Sequence, residues 1–87
     1  MSTEFILYGK FDCHPCKVML LSLKQLSKSY PFEIRTIDIR DDPLLVERYG
    51  PRIPVLVVNG EELCHFTLDD EKVTSYLKTE KAIADHI

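Results

Sequence analysis

Positive charge is scarce in this sequence. Eleven Lys and Arg stand against 14 Asp and Glu, a formal net charge of -3, and no basic run is present, so neither nucleic acid nor an anionic lipid surface finds an electrostatic footprint. Apolar runs are short: Val18-Met19-Leu20-Leu21 falls far below bilayer length. The start, Met1-Ser2-Thr3-Glu4, has no basic segment, and its apolar continuation Phe5-Ile6-Leu7 is brief, so no signal peptide is expected. Only three glycines occur, beside 45% hydrophobic and 29% charged residues, which excludes a low-complexity or disordered chain. Three cysteines, an odd number, fit poorly with a secreted disulfide scaffold and place the protein in the cytoplasm. At 87 residues the expectation is a single domain over 1-87 with little surplus core.

What is present is concentrated in Asp12-Cys13-His14-Pro15-Cys16-Lys17. Two thiols at C-x-x-C spacing serve either a cycling disulfide or half of a zinc site. A reducing compartment favours the first, because ambient thiols keep opening a merely structural bridge. A zinc site needs four ligands, and outside the motif only Cys64, His65 and His86 are candidates.

Hydrophobic patterning supplies the scaffold. Glu4 to Tyr8 reads as a buried strand ended by Gly9. From Cys13, the positions Cys16, Met19/Leu20, Leu23, Leu26 and Tyr30 recur at helical spacing, predicting an amphipathic helix stopped by Pro31. Phe32 to Ile39 alternates as a strand whose phase slips at Thr36, through burial on both faces or a bulge. Asp42-Pro43 and Gly50 bracket a short helix. Val55 to Val58, the Asn59-Gly60 turn and Glu61 to Phe66 form a hairpin. Asp69 or Thr67 caps a last helix with Val73, Tyr76 and Leu77 inward, and Thr79 to Ile87 extends it or frays.

This β-α-β-α-β-β-α order, with C-x-x-C at the first strand-to-helix junction and Arg52-Ile53-Pro54 opening the third strand, resembles a minimal thioredoxin fold. The likeness is greatest to the glutaredoxins and short bacterial glutaredoxin-like proteins, over roughly residues 4 to 78. It implies an α/β domain with a four-stranded mixed sheet and flanking helices. It also implies a thiol-disulfide oxidoreductase of cell redox homeostasis and electron transport, with no metal and no organic cofactor. Lys10, three residues before Cys13, matches the lysine that in glutaredoxins helps hold a glutathione carboxylate. Pro54 is implied to be cis and packed against the disulfide, with the Ile53 backbone free to pair with a substrate strand. Tyr8, His14, Pro15, Arg52 and Asp69 complete the implied substrate or glutathione site.

Helix physics gives the cysteines unequal roles. At the N-cap, Cys13 faces unpaired N–H groups and the positive helix end, both of which favour thiolate. Cys16 shares a face with Met19, Leu20 and Leu23, so burial keeps it protonated. Cys13 then attacks a substrate disulfide and Cys16 resolves the mixed disulfide; Pro15 fits the first turn, where its missing N–H is no loss.

Some positions depart from the family pattern. Asp12 and Leu7 stand where thioredoxins carry a tryptophan and a buried acid, and His14-Pro15 replaces the proline-tyrosine pair of glutaredoxins. Cys64-His65 stands in place of the paired glycines along which glutathione lies, and Leu68-Asp69 follows in place of Ser-Asp. The expected partners are protein or small-molecule disulfides, with glutathione or a thioredoxin reductase as reductant, and a monomer that binds neither nucleic acid nor membrane. A redox-sensitive binding module around Ile53 and Pro54 is the alternative, and a metal or iron-sulfur protein the third. Cys64 reads as a small buried hydrophobe, and the acidic Asp38 to Asp42 run as a solvated loop and helix cap.

Overall fold

The computed structural model describes residues 3–85, with side chains through residue 79. Its elements are β1 (Thr3–Gly9), α1 (His14–Leu26), β2 (Phe32–Asp38), α2 (Pro43–Tyr49), β3 (Val55–Val58), β4 (Glu61–His65) and α3 (Asp70–Asp85). The strands form one sheet in the order β2-β1-β3-β4. β1 pairs parallel with β2 and antiparallel with β3, and β3 pairs antiparallel with β4. This is the expected mixed sheet. Parallel β1 and β2 need a crossover, which α1 provides, whereas two residues suffice between β3 and β4. Asn59 (φ 51) and Gly60 (φ 78) are both left-handed, the geometry that makes Asn-Gly a hairpin turn.

Period-two alternation divides the sheet into two faces. On one, Phe5 opposes Val58 and Leu7 opposes Leu56; these residues pack with Met19 and Leu23 of α1 and Val73 and Leu77 of α3. The Phe5 ring meets Phe32 edge-on at 4.9 Å. On the other face, Tyr8 stacks on Tyr49 of α2 with ring centroids 4.4 Å apart. β3, flanked by strands on both sides, is buried at every residue. Burying each such side chain stabilises by roughly 1.5–3 kcal/mol, which is why this stretch reads as continuous apolar sequence.

Several element boundaries differ from the sequence expectation. The first helix ends at Leu26 rather than running to Pro31. Ser27 Oγ donates to the Lys24 carbonyl at 2.6 Å, and Lys28 and Ser29 N–H groups turn back to Gln25 and Leu26, so tight turns rather than helix carry the chain to β2. The slip at Thr36 is not a bulge, since β1 and β2 stay in unbroken register from Thr3↔Phe32 to Gly9↔Asp38. Instead the burial changes face: Phe32 and Ile34 pack on the main core, while Ile37 lies in register with Tyr8, and Ile39 is fully buried in a 3-10 turn over Ile39–Asp41. The register shift in the sheet falls between Leu56 and Val57, against β4. β4 itself stops at His65, one residue early, because Phe66 is left-handed (φ 66) and cannot continue a strand. The last helix does extend, through Asp85, with Asp69 rather than Thr67 accepting the Lys72 N–H at 3.1 Å. His86, one of the metal-ligand candidates, lies outside the described residues.

Candidate active site

Cys13 sits at the N-cap of α1 in extended conformation, and its Sγ accepts the Cys16 N–H at 3.3 Å. A sulfur thus satisfies one of the helix's orphan donors, the arrangement that favours negative charge there. Cys13 and Cys16 are joined as a disulfide, their Cα atoms 5.2 Å apart. Cys16, with 6% of its surface exposed, is buried, whereas Cys13 is partly open to solvent. Pro15 occupies the first turn, and His14 beside it is exposed.

Gly9 explains how strand and helix close around the pair. A Cβ at this position would lie 2.8 Å from Cys16 Sγ, so only glycine lets β1 approach the disulfide this closely. The β1–β3 register ends at Tyr8↔Val55; continued by one residue, it sets Pro54 opposite Gly9. Cys16 and Pro54 therefore lie at the same end of the sheet. The Ile53–Pro54 bond is cis, as the family resemblance implied, and Pro54 is buried. Ile53, extended at the close of the 3-10 turn over Gly50–Arg52, makes no backbone hydrogen bond outside that turn among the described residues.

A clasp that sequence reasoning missed holds the loop before Cys13. Asp38, at the end of β2, accepts the Phe11 N–H at 3.2 Å and the Arg40 N–H at 3.0 Å. The Arg40 guanidinium returns two further bonds to the same carboxylate, at 3.1 and 3.0 Å. It also lies over the Phe11 ring at 4.1 Å and pairs with Asp12 at 3.7 Å. Hydrogen bonds from the Arg40 side chain, and then from its backbone N–H, lower the Asp38 carboxyl to a pKa of about 2. The acidic run is therefore more than a solvated loop. Asp42 is the helix cap expected, accepting the Leu44 N–H at 3.0 Å, but Asp38 reaches 27 residues back along the chain, a contact that no local pattern encodes.

The other site residues foreseen from the sequence are spread around this end of the sheet. Lys10 lines a groove of about 320 Å³ with Leu7, Cys16, Lys17, Leu20 and Thr36. Tyr8 is committed to its stack on Tyr49. Arg52 donates to Glu62 at 2.6 Å and to the Arg48 carbonyl at 2.8 Å, so its charge is already paired within the fold. Asp69 caps α3. Cys64 is buried against the main core, and burial pushes its thiol up from the usual value, against a backbone hydrogen bond from Asp69 that pulls down. His65 is exposed and pairs with Glu62 at 3.1 Å. Among the described residues no group of three or more His, Cys, Asp or Glu side chains is arranged to hold a metal ion.

A sequence profile described as a glutaredoxin-like domain (DUF836) matches residues 4–78. Among solved structures, protein Ne2328 from Nitrosomonas europaea is 35% identical over 88% of this chain and 93% of that one, with a TM-score of 0.82. Protein XcR50 from X. campestris is 30% identical over 86% and 96%, with a TM-score of 0.71. Thioredoxin 1 from Thermosipho africanus, at 17% identity over 90% and 98% and a TM-score of 0.60, shares the fold. No curated protein matches the chain.

Proposed function

The chain belongs to the glutaredoxin-like (DUF836) family, and from that premise we propose that it is a thiol-disulfide oxidoreductase acting through Cys13 and Cys16. The observation that carries the proposal is the asymmetry of the pair: one sulfur at a helix N-cap and open to solvent, the other buried. Reduced Cys13 thiolate attacks a substrate disulfide, forming a mixed disulfide and expelling one substrate thiolate. Cys16 gives up its proton and attacks the Cys13 sulfur, which closes the intramolecular disulfide and expels the second thiolate. Two electrons pass from the dithiol to the substrate, and an external thiol or dithiol restores the reduced state.

The extended Ile53 backbone, unpaired with any strand, supports an extended substrate segment beside Cys13. Lys10 is the better candidate for a glutathione carboxylate than Arg52, which Glu62 already holds. The reaction calls for no metal or organic cofactor; glutathione is a co-substrate at most, and its grip is weak because His65 carries an exposed side chain where glutaredoxins have a glycine, while the Cys64 side chain turns into the core. The setting is a reducing compartment such as the cytoplasm, and the acting species is the monomer. Steady-state reduction of bis(2-hydroxyethyl) disulfide, with glutathione in one arm and a thioredoxin-reductase system in the other, tests the proposal. Turnover that vanishes in Cys13→Ser supports it. Absence of turnover with either reductant favours the alternative, a binding module whose surface responds to the state of the disulfide.

A further inference from the structure

Phe66 is unexplained by disulfide exchange alone. Its backbone is left-handed (φ 66), a conformation that bulky side chains rarely adopt. The residue is about half exposed, at 51%, and its ring meets the His65 ring edge-on at 4.6 Å. An unfavourable backbone that holds a large apolar ring in water gains the fold little, and strain of this kind gathers at functional sites. The glycine-like geometry of this segment thus falls on Phe66, not on Cys64 or His65.

Its position is equally specific. The Phe66 N–H donates to the Pro54 carbonyl at 2.9 Å, extending the β3–β4 pairing past Val55↔His65. That sets Phe66 beside Ile53-Pro54, where Ile53 is extended and makes no backbone hydrogen bond outside the 3-10 turn over Gly50–Arg52 among the described residues. A second exposed ring, Phe11 at 70%, lies two residues before Cys13 under the Arg40 guanidinium.

We propose that Phe66 determines specificity, selecting extended polypeptide segments that carry a large apolar side chain next to the reactive cysteine. The inference rests on the oxidoreductase reading and names its substrate class. Backbone pairing at Ile53 supplies affinity for any strand, and side-chain contact supplies the choice among strands. Glutathione has charged ends and no large apolar side chain, so it gives the ring nothing to bury. The exchange itself is unchanged: two electrons leave the dithiol and reduce the peptide disulfide to two thiols.

The test uses two disulfide-linked peptide dimers that differ only in the residue after cysteine, leucine in one and glycine in the other. Wild-type protein is expected to reduce the leucine dimer with kcat/KM roughly tenfold higher, the size of discrimination that apolar contacts provide. Phe66→Gly brings that ratio close to unity and raises the melting temperature, because glycine accepts the left-handed backbone. Phe66→Asn, which also tolerates this conformation, loses the same preference; a merely structural Phe66 moves the melting temperature and leaves the ratio. Equal rates for the two dimers in wild type, or a preference that survives both variants, overturn the inference. Reduction of bis(2-hydroxyethyl) disulfide alongside equal dimer rates sinks this inference alone, whereas failure to reduce any of the three disulfides sinks the oxidoreductase reading with it.

Discussion

At the scale of single residues, the site works through differences between chemically identical groups. Three thiols share the chain, yet one is a helix cap, one lies under Gly9 and one is in the core. Thiolate reactivity follows that placement. In the reduced protein at pH 7, Cys13 is expected to be alkylated much faster than Cys16 or Cys64, and mass-spectrometric mapping of the first site modified checks it. Asp38 carries a second prediction. Its carboxyl is held at about 2, below the ordinary 3.8, so the clasp on Phe11 and Arg40 contributes fully above that ordinary value. As pH falls from about 3.8 toward about 2, the contribution is lost. A carbon NMR titration of the Asp38 carboxyl should show the low midpoint, and Asp38→Asn should lack the corresponding loss of stability in that window. An Asp38 that titrates like a free aspartate would remove the clasp.

At the scale of elements, turns and caps set where each strand and helix stops. A Cβ at Gly60 (φ 78) would meet nothing within 4 Å, so a substitution there is opposed by backbone conformation and not by a clash. Gly60→Ala is expected to destabilise by about 1 kcal/mol, a fall of roughly 4–8 °C in melting temperature for a domain of this size. Thermal unfolding followed by circular dichroism measures it. An unchanged midpoint would show that the hairpin adopts another turn.

At the scale of the whole molecule, a thin core makes each buried side chain matter. Leu23 of α1 is fully buried against β1, β3 and α3 residues, whereas Leu21, two positions before it, is 62% exposed. Leu23→Ala is expected to lose about 2–5 kcal/mol, a large share of the roughly 5–15 kcal/mol available to a small domain. Leu21→Ala should stay within about 0.5 kcal/mol. Urea unfolding of both variants separates them, and similar midpoints would contradict the packing described.

By itself the sequence determined the order of elements, the hairpin and the unequal cysteines, because each is written in local pattern: alternation for strands, three-and-four spacing for α1, Asn-Gly for the turn, C-x-x-C ahead of a helix. Cys13 as cap and Asp42 as cap were legible for the same reason, since a cap and its donor lie within three residues. Tertiary structure alone decided which distant residues meet. Asp38 reaches Phe11, Gly9 yields to Cys16, and Phe66 reaches Pro54 only because β1 lies between β2 and β3 while β4 folds back on β3. The left-handed turn at Phe66 was hidden for a related reason. Phenylalanine ordinarily favours strand, and what accompanies its departure from that preference here is a hydrogen bond to the Pro54 carbonyl, a contact that exists only once the sheet has formed.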